Sequence, residues 1–391
     1  MLVSVIALTV YLRLSLCLAS ERPKSIVLSF EDDYYHDISD GYVLKFQIGD
    51  QDFRGHVFPF LSSVVVIDSE CGKTDQNCSR YCSDDMFREL YCLVDCTQNT
   101  PQNLPLICPS QVTFYNRSAS ATSHTLTDRG KWHARRSEMR EMAGIYVEDI
   151  LTLKSLVSKL TLTNFTFLSG LFMDSRIFNG HDALIGMAPG SAEHPNFISV
   201  LHQNGQLDNP VVSFSTDQLT TQGNRMSSIG KFESFDCDQW VEFATSEENA
   251  WILDFDEVEV MGQKFGKTKV LWNSLKVNLN IPQYAMDIFI REGVFMYNRH
   301  GILFPMNCSD DRPYIQFTDS LGQKLLVDYN DMFLFSPSVS KEYCAAHVEV
   351  IDLLSNYPVE WSIGSWFAMG HCHSYDFEAK KLSIGFKKPP A

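Results

Sequence analysis

The stretch "HVFPFLSSVVVID", His56 to Asp68, reads as a buried strand ending in a tight polar turn at Pro59-Phe60-Leu61-Ser62-Ser63. A second stretch of the same kind, "VLWNSLKVNLNIP", runs from Val270 to Pro282. A strand-to-turn junction of this sort is where some enzymes hold an acid. Neither turn contains one, so two questions arise together: which architecture needs two such junctions, and what remains when the acids are absent.

Outward from these two points, the chain is short strands punctuated by turns: "YVLKFQIG", "PVVSFST", "DEVEVMG", "KLLVDY" and "KKLSIGFK". Helical signals are few. "PNFISVLHQNGQL" (Pro195 to Leu207) has a proline start, apolar residues at Phe197, Val200 and Leu201, and a glycine near its end; "PQYAMDIFI" (Pro282 to Ile290) is the other. Many strands with few helices predict a mostly β chain. The polar segment "TDQLTTQGNRMSSIGK" (Thr216 to Lys231) divides it into comparable halves and is taken as the domain boundary. No sequence repeat is evident.

At 391 residues the chain is too long for one simple core, and two domains of ordinary size are expected. A hydrophobic content of 45% marks a folded protein, and a net charge of −16 argues against nucleic acid or anionic membrane as a partner. Residues 1–19 form an apolar run ending in small residues, read as a signal peptide cut near Ser20; Arg13 within it argues against a membrane anchor. Removing the signal removes Cys17 and leaves ten cysteines: Cys71, Cys78, Cys82, Cys92, Cys96, Cys108, Cys237, Cys308, Cys344 and Cys372. An even count in an exported chain predicts disulfides, and the Cys78/Cys82 and Cys92/Cys96 spacings are read that way rather than as zinc ligands. Residues 71–108 are cysteine-dense and without periodic pattern, as in a stapled surface insertion. Glycosylation sequons at Asn77, Asn116, Asn164 and Asn307 agree with export. The expected setting is extracellular, with a lysosomal lumen as the alternative.

In this order the segments resemble the pepsin-like aspartic proteases, from about Asp32 to Lys387. "YVLKFQIGDQDFRGHVF" resembles the opening strands of that family. "GHDALIGMAPGS" (Gly180 to Ser191) resembles its Asp-Gly-Ile-Leu-Gly-Leu-Ala stretch, and "WSIGSWFAMGHCHSYDFEAKKLSIGFK" (Trp361 to Lys387) its closing segment. The resemblance implies a bilobal acid protease fold with a central cleft: an N-terminal β lobe over 20–215 and a C-terminal β lobe over 216–391. It also implies one Asp-Thr-Gly motif per lobe, whose two carboxylates share a proton: one activates water while the other protonates the scissile carbonyl. Cys308 and Cys344 sit where the second lobe of the family has a disulfide, and Cys372 is expected to pair with Cys237.

Set against that pattern, Pro59 falls on the first aspartate and Asn273 on the second, with Ser274 and Leu275 on the Thr-Gly that follow. No Asp-Thr-Gly or Asp-Ser-Gly occurs anywhere. Phe60, Leu61 and Leu275 stand at polar or glycine positions, so a polar network is replaced wholesale by apolar groups, an exchange that can be neutral or stabilising. The family's flap tyrosine falls on Ser137, within Ser137 to Glu141. About twenty residues separate the signal cut from the first strand, which leaves no room for an inhibitory prosegment. The expectation is a non-catalytic binding protein, a decoy, carrier or recognition module. Its candidate cleft of Phe60, Leu61, Ser137, Ser274 and Leu275 would take a peptide, protein or apolar ligand in a monomer. The rival is an active endopeptidase drawing carboxylates from elsewhere, such as Asp68 or Asp182.

The remaining clusters have plainer readings. His371 and His373, at i and i+2 on one strand face, lack a third ligand once Cys372 is paired and are read as structural. Arg135, Arg136 and Arg140 fit a solvated hairpin. No phosphate loop, dinucleotide fingerprint or nucleophile elbow is present, and no cofactor is expected.

Overall fold

The computed structural model describes residues 24–29, 42–71, 74–75, 78–79, 112–134, 142–155, 158–173, 178, 180–215, 226–245, 247–273, 278–297, 303–305, 312–335, 344–350 and 359–387. The fold is mostly β, as the turn-punctuated strands predict. The segments read as strands form Val43–Ile48, Val211–Ser215, Glu257–Val260, Lys324–Val327 and Lys381–Lys387. The two expected helices are Phe197–Gln203 and Gln283–Arg291. The first is capped not by its proline but by Asn196, whose side chain accepts from the Ile198 N–H.

Eight strands carry the architecture: β1 (Gln51–Phe58), β2 (Val64–Ile67), β3 (Lys159–Met173), β4 (Ala183–Gly186), β5 (Thr268–Trp272), β6 (Leu279–Ile281), β7 (Val348–Val350) and β8 (Trp361–Ile363). In the first half β4 inserts between β1 and β2, parallel to β1 and antiparallel to β2, and β3 runs parallel to β2 on the far side. In the second half β8 inserts between β5 and β6, parallel to β5 and antiparallel to β6, and β7 runs parallel to β6. The same four-strand arrangement therefore occurs twice, although the two halves share no evident sequence repeat. Central strands in such a setting are buried on both faces. This is why Val64-Val65-Val66-Ile67 and Ala183-Leu184-Ile185-Gly186 are apolar throughout and entirely buried, whereas Val43–Ile48 alternates and turns Lys45 and Gln47 outward.

A third, antiparallel sheet takes strands from both ends of the chain, in the order Ile26–Ser29, Met226–Ile229, Val211–Ser215, Cys372–Asp376, Lys381–Lys387, Cys237–Ala244. Part of the segment read as a boundary, Met226–Ile229, is thus a strand paired with Val211–Ser215. Its two serines, Ser227 and Ser228, are fully buried, so polar composition there does not mark an exposed linker. The halves are tied further by the Trp251 indole N–H, which donates to the Met187 carbonyl, and by Gly190 N–H to Glu248 O at 2.8 Å.

Cys237 and Cys372 form a disulfide that closes 135 residues of sequence, and Cys71 is disulfide-bonded as well. Cys82, Cys92, Cys96, Cys108 and Cys308 lie outside the described residues, as do the side chains of Cys78 and Cys344, and with them most of the 71–108 insertion. Among the described residues no helix is long and apolar enough to cross a membrane.

Candidate functional site

The two strand-to-turn junctions occupy matching places. The last partner pair of the β1/β4 ladder is Phe58 with Gly186, and that of the β5/β8 ladder is Trp272 with Ile363. Pro59 and Asn273 are the next residues along the chain. Four backbone bonds hold the first turn. Phe58, Leu61, Ser62 and Ser63 carbonyls accept from the N–H groups of Met187 (2.8 Å), Ala188 (2.7 Å), Phe197 (2.8 Å) and Gly186 (3.1 Å). Asn196 braces the same corner, donating through Nδ2 to the Gly186 and Ala188 carbonyls. At the second junction the Asn273 N–H donates to Ile363 O at 2.8 Å.

The floor between the junctions is apolar. Phe58, Phe60 and Leu61 belong to one contiguous buried cluster with Ala250, Ile252, Leu271 and Val359, so both halves of the chain contribute to it. Asn273 is 1% exposed. Ser137, Ser274 and Leu275 lie outside the described residues. A carboxylate at the second junction would have to be desolvated, which raises its pKa and destabilises the charged form. Asn273→Asp is accordingly expected to lose about 2 kcal/mol at pH 7 and to recover part of it at pH 5, where the acid is protonated. Melting temperatures of both proteins at the two pH values check this; an unchanged melt at pH 7 would mean that the site is more polar than its packing indicates.

The carboxylates named as substitutes are engaged elsewhere, both in the first half. Asp68 is fully buried, faces Arg117 Nε at 2.8 Å, and accepts from Ser169 Oγ at 2.6 Å and the Glu70 N–H at 2.8 Å. Asp182 accepts the backbone N–H of Arg54 at 2.9 Å and of Thr113 at 2.6 Å. A third, Asp149, accepts from Tyr115, Ser120, Thr122 and its neighbour's N–H. Burial pushes its pKa up, but those donors outweigh burial and hold it below the ordinary carboxylate value. These are anchors of loop and strand.

An open pocket adjoins the first turn. A cavity of about 780 Å³ is bounded by the turn residues Phe60 to Ser63, by β3 from Asn164 to Leu168, and by the helix residues Phe197, Val200 and Leu201. It is also lined by the buried Trp132, by Tyr146 and Asn249, and at its exposed rim by Arg129, Glu193 and His194. Of the sequence-derived cleft residues, Phe60 and Leu61 line it, while Pro59 and Asn273 do not. Asn164 stands exposed in the left-handed region (φ 55°) where the β3 register shifts between Leu162 and Phe165. Asn116 is also exposed; Asn77 and Asn307 are not among the described residues.

The chain matches no known protein-family model and none of the curated proteins.

The two imidazoles stand two residues apart in extended backbone, His371 against Phe386 and His373 paired with Ile384 of the neighbouring strand. His371 caps the helix Ser365–Gly370, before the strand begins at Cys372, and its Nε2 lies 3.0 Å from Asp331 Oδ1. His373 is enclosed by the rings of Tyr42, Phe214, Trp272 and Tyr375. Among the described residues no cluster of three or more His, Cys, Asp or Glu could hold a metal ion. Reading from the sequence missed Arg129, Trp132 and Tyr146 as cavity residues. The "GKWHARR" segment showed only its basic run, and nothing local reveals that Trp132 meets residues 60–63.

Proposed function

We propose that this chain is a secreted, bilobal homologue of the pepsin-like aspartic proteases that has lost both catalytic aspartates and serves as a non-catalytic binding protein. The observation that carries the reading is the doubled arrangement of parallel, antiparallel and parallel strand pairs, with Pro59 and Asn273 at equivalent exits. Two carboxylates across those exits would share a proton and activate water; a proline, an amide and the apolar cluster of Phe58, Phe60, Leu61 and Leu271 can do neither. The order of the quoted motifs supports the same descent, and the Cys237–Cys372 disulfide is consistent with export. The engaged states of Asp68 and Asp182 weigh against the rival, an active endopeptidase with a displaced dyad.

The test is incubation of the purified, glycosylated protein with a broad peptide library from pH 4.5 to 7, with and without a transition-state-like aspartic protease inhibitor. No inhibitor-sensitive cleavage is expected at any pH at which the protein remains folded by circular dichroism. Cleavage that the inhibitor abolishes would restore the enzyme reading.

A further inference from the structure

The side cavity has the composition of a ligand site rather than of a packing defect. At about 780 Å³ it falls within the usual range for small-molecule pockets, and its deep wall is aromatic and aliphatic: Phe60, Leu61, Trp132, Phe165, Phe197 and Leu201, each less than a tenth exposed. An apolar body laid against that wall gains from the release of the water covering it.

The rim supplies a polar anchor. Arg129 is exposed and has no ion-pair partner among the described residues; its guanidinium lies 6.0 Å from the centroid of the Tyr146 ring, itself a cavity residue. A guanidinium held against an aromatic wall is partly pre-ordered and keeps its planar fork of donors for a carboxylate. The buried indole N–H of Trp132 likewise has no acceptor among the described residues. Glu193 and His194 face the same cavity from an exposed turn, and no aromatic wall holds either of them.

We propose that the cavity binds an amphipathic carboxylate, with an alkyl or aryl body against Phe60, Leu61 and Phe197 and its carboxylate on Arg129. This deepens the binding role proposed above, and it rests on that reading only for the idea that the protein binds rather than cleaves; the cavity itself includes neither Pro59 nor Asn273.

The probe is 11-(dansylamino)undecanoate, compared with its methyl ester and with a dansyl alkylamine of equal length, followed by dansyl fluorescence on the full chain at pH 7. The carboxylate is expected to bind roughly tenfold more tightly than the ester, and Arg129→Gln to erase that difference while leaving the ester within about twofold, the scale of one charge-assisted hydrogen-bonded contact. Filling the cavity with Leu61→Trp, or with Val200→Trp should the first variant fold poorly, is expected to weaken all three probes by tenfold or more. Equal binding of acid and ester, tighter binding of the amine, or binding untouched by a cavity-filling variant that folds would each overturn the proposal. The cleavage assay is a separate readout, so an empty cavity and a working peptidase would be told apart.

Discussion

Between pH 6.5 and pH 4.5 the fold is expected to lose on the order of 5 kcal/mol of stability, and two buried histidines account for most of it. His56 is 3% exposed on β1, its ring 5.3 Å from that of His181 and both its nitrogens without a hydrogen-bond partner among the described residues. Burial first, and the neighbouring His181 second, lower its pKa from 6.5 to about 3. His373, fully enclosed by aromatic rings, is lowered to about 3 as well, chiefly by burial. In both cases the unfolded chain takes up a proton below 6.5 while the folded chain stays neutral until near 3. The unfolded state therefore binds more protons throughout that window, and stability falls as pH falls, by about 1.4 kcal/mol per unit for each histidine. Asp149, held below its ordinary value, acts in the same direction at the acid end; Asp328, raised mainly by burial and then by Asp331, acts in the opposite one. Urea titrations at pH 7, 6, 5 and 4.5 measure the slope, and His373→Phe, which suits the same aromatic box, is expected to reduce it by about half. A midpoint that holds steady from pH 7 to 4.5 would remove both histidines from the account.

How much of this was visible in the sequence differs between fold and site, for a physical reason. Strand identity is local: the run Val64 to Ile67 and the alternation in Val43 to Ile48 announce burial on two faces or one, and both appear as read. The two junctions at Pro59 and Asn273 were legible because each strand stops at a turn within a few residues. Their equivalence was not, since it lies in which strand inserts between which, and Ala183–Gly186 and Trp361–Ile363 reach their partners from about a hundred residues away. The cavity is less local still. Its walls come from residues 60–63, 129–132, 164–168 and 193–201, and no period in the chain links a tryptophan at 132 to a leucine at 61. Burial of charge was also out of reach: Asp68 looks like any turn aspartate until Arg117 and Ser169 are found against it.

Gly186→Ala is expected to be strongly damaging, because the added methyl group meets backbone on the turn itself. Gly186 closes the β1/β4 ladder beside the turn. A Cβ placed on it would stand 2.4 Å from both the Leu61 and the Ser63 carbonyl oxygens, backbone atoms that cannot rotate away. Those oxygens are the acceptors that hold the turn: Leu61 O takes the Ala188 N–H, and Ser63 O takes the N–H of Gly186 itself. Relieving the clash means moving the turn off β4, which breaks both bonds and leaves buried groups unsatisfied at about 1–3 kcal/mol each. The expected loss is on the order of 4 kcal/mol, or a melting temperature lower by about 10 °C. Gly266→Ala is the control, since nothing lies within 4 Å of a Cβ there and its melt is expected to match the parent. A Gly186→Ala melt within about 2 °C of the parent would mean that the turn is looser than its four backbone bonds imply. The substitution also reads on function, because Leu61 to Ser63 form one wall of the cavity. A turn displaced from β4 moves that wall, so the variant is expected to lose amphipathic carboxylates even at temperatures where it remains folded. Arg129→Gln, which leaves the wall in place, is expected to lose only the preference for charge; the two variants together separate the shape of the site from its electrostatics.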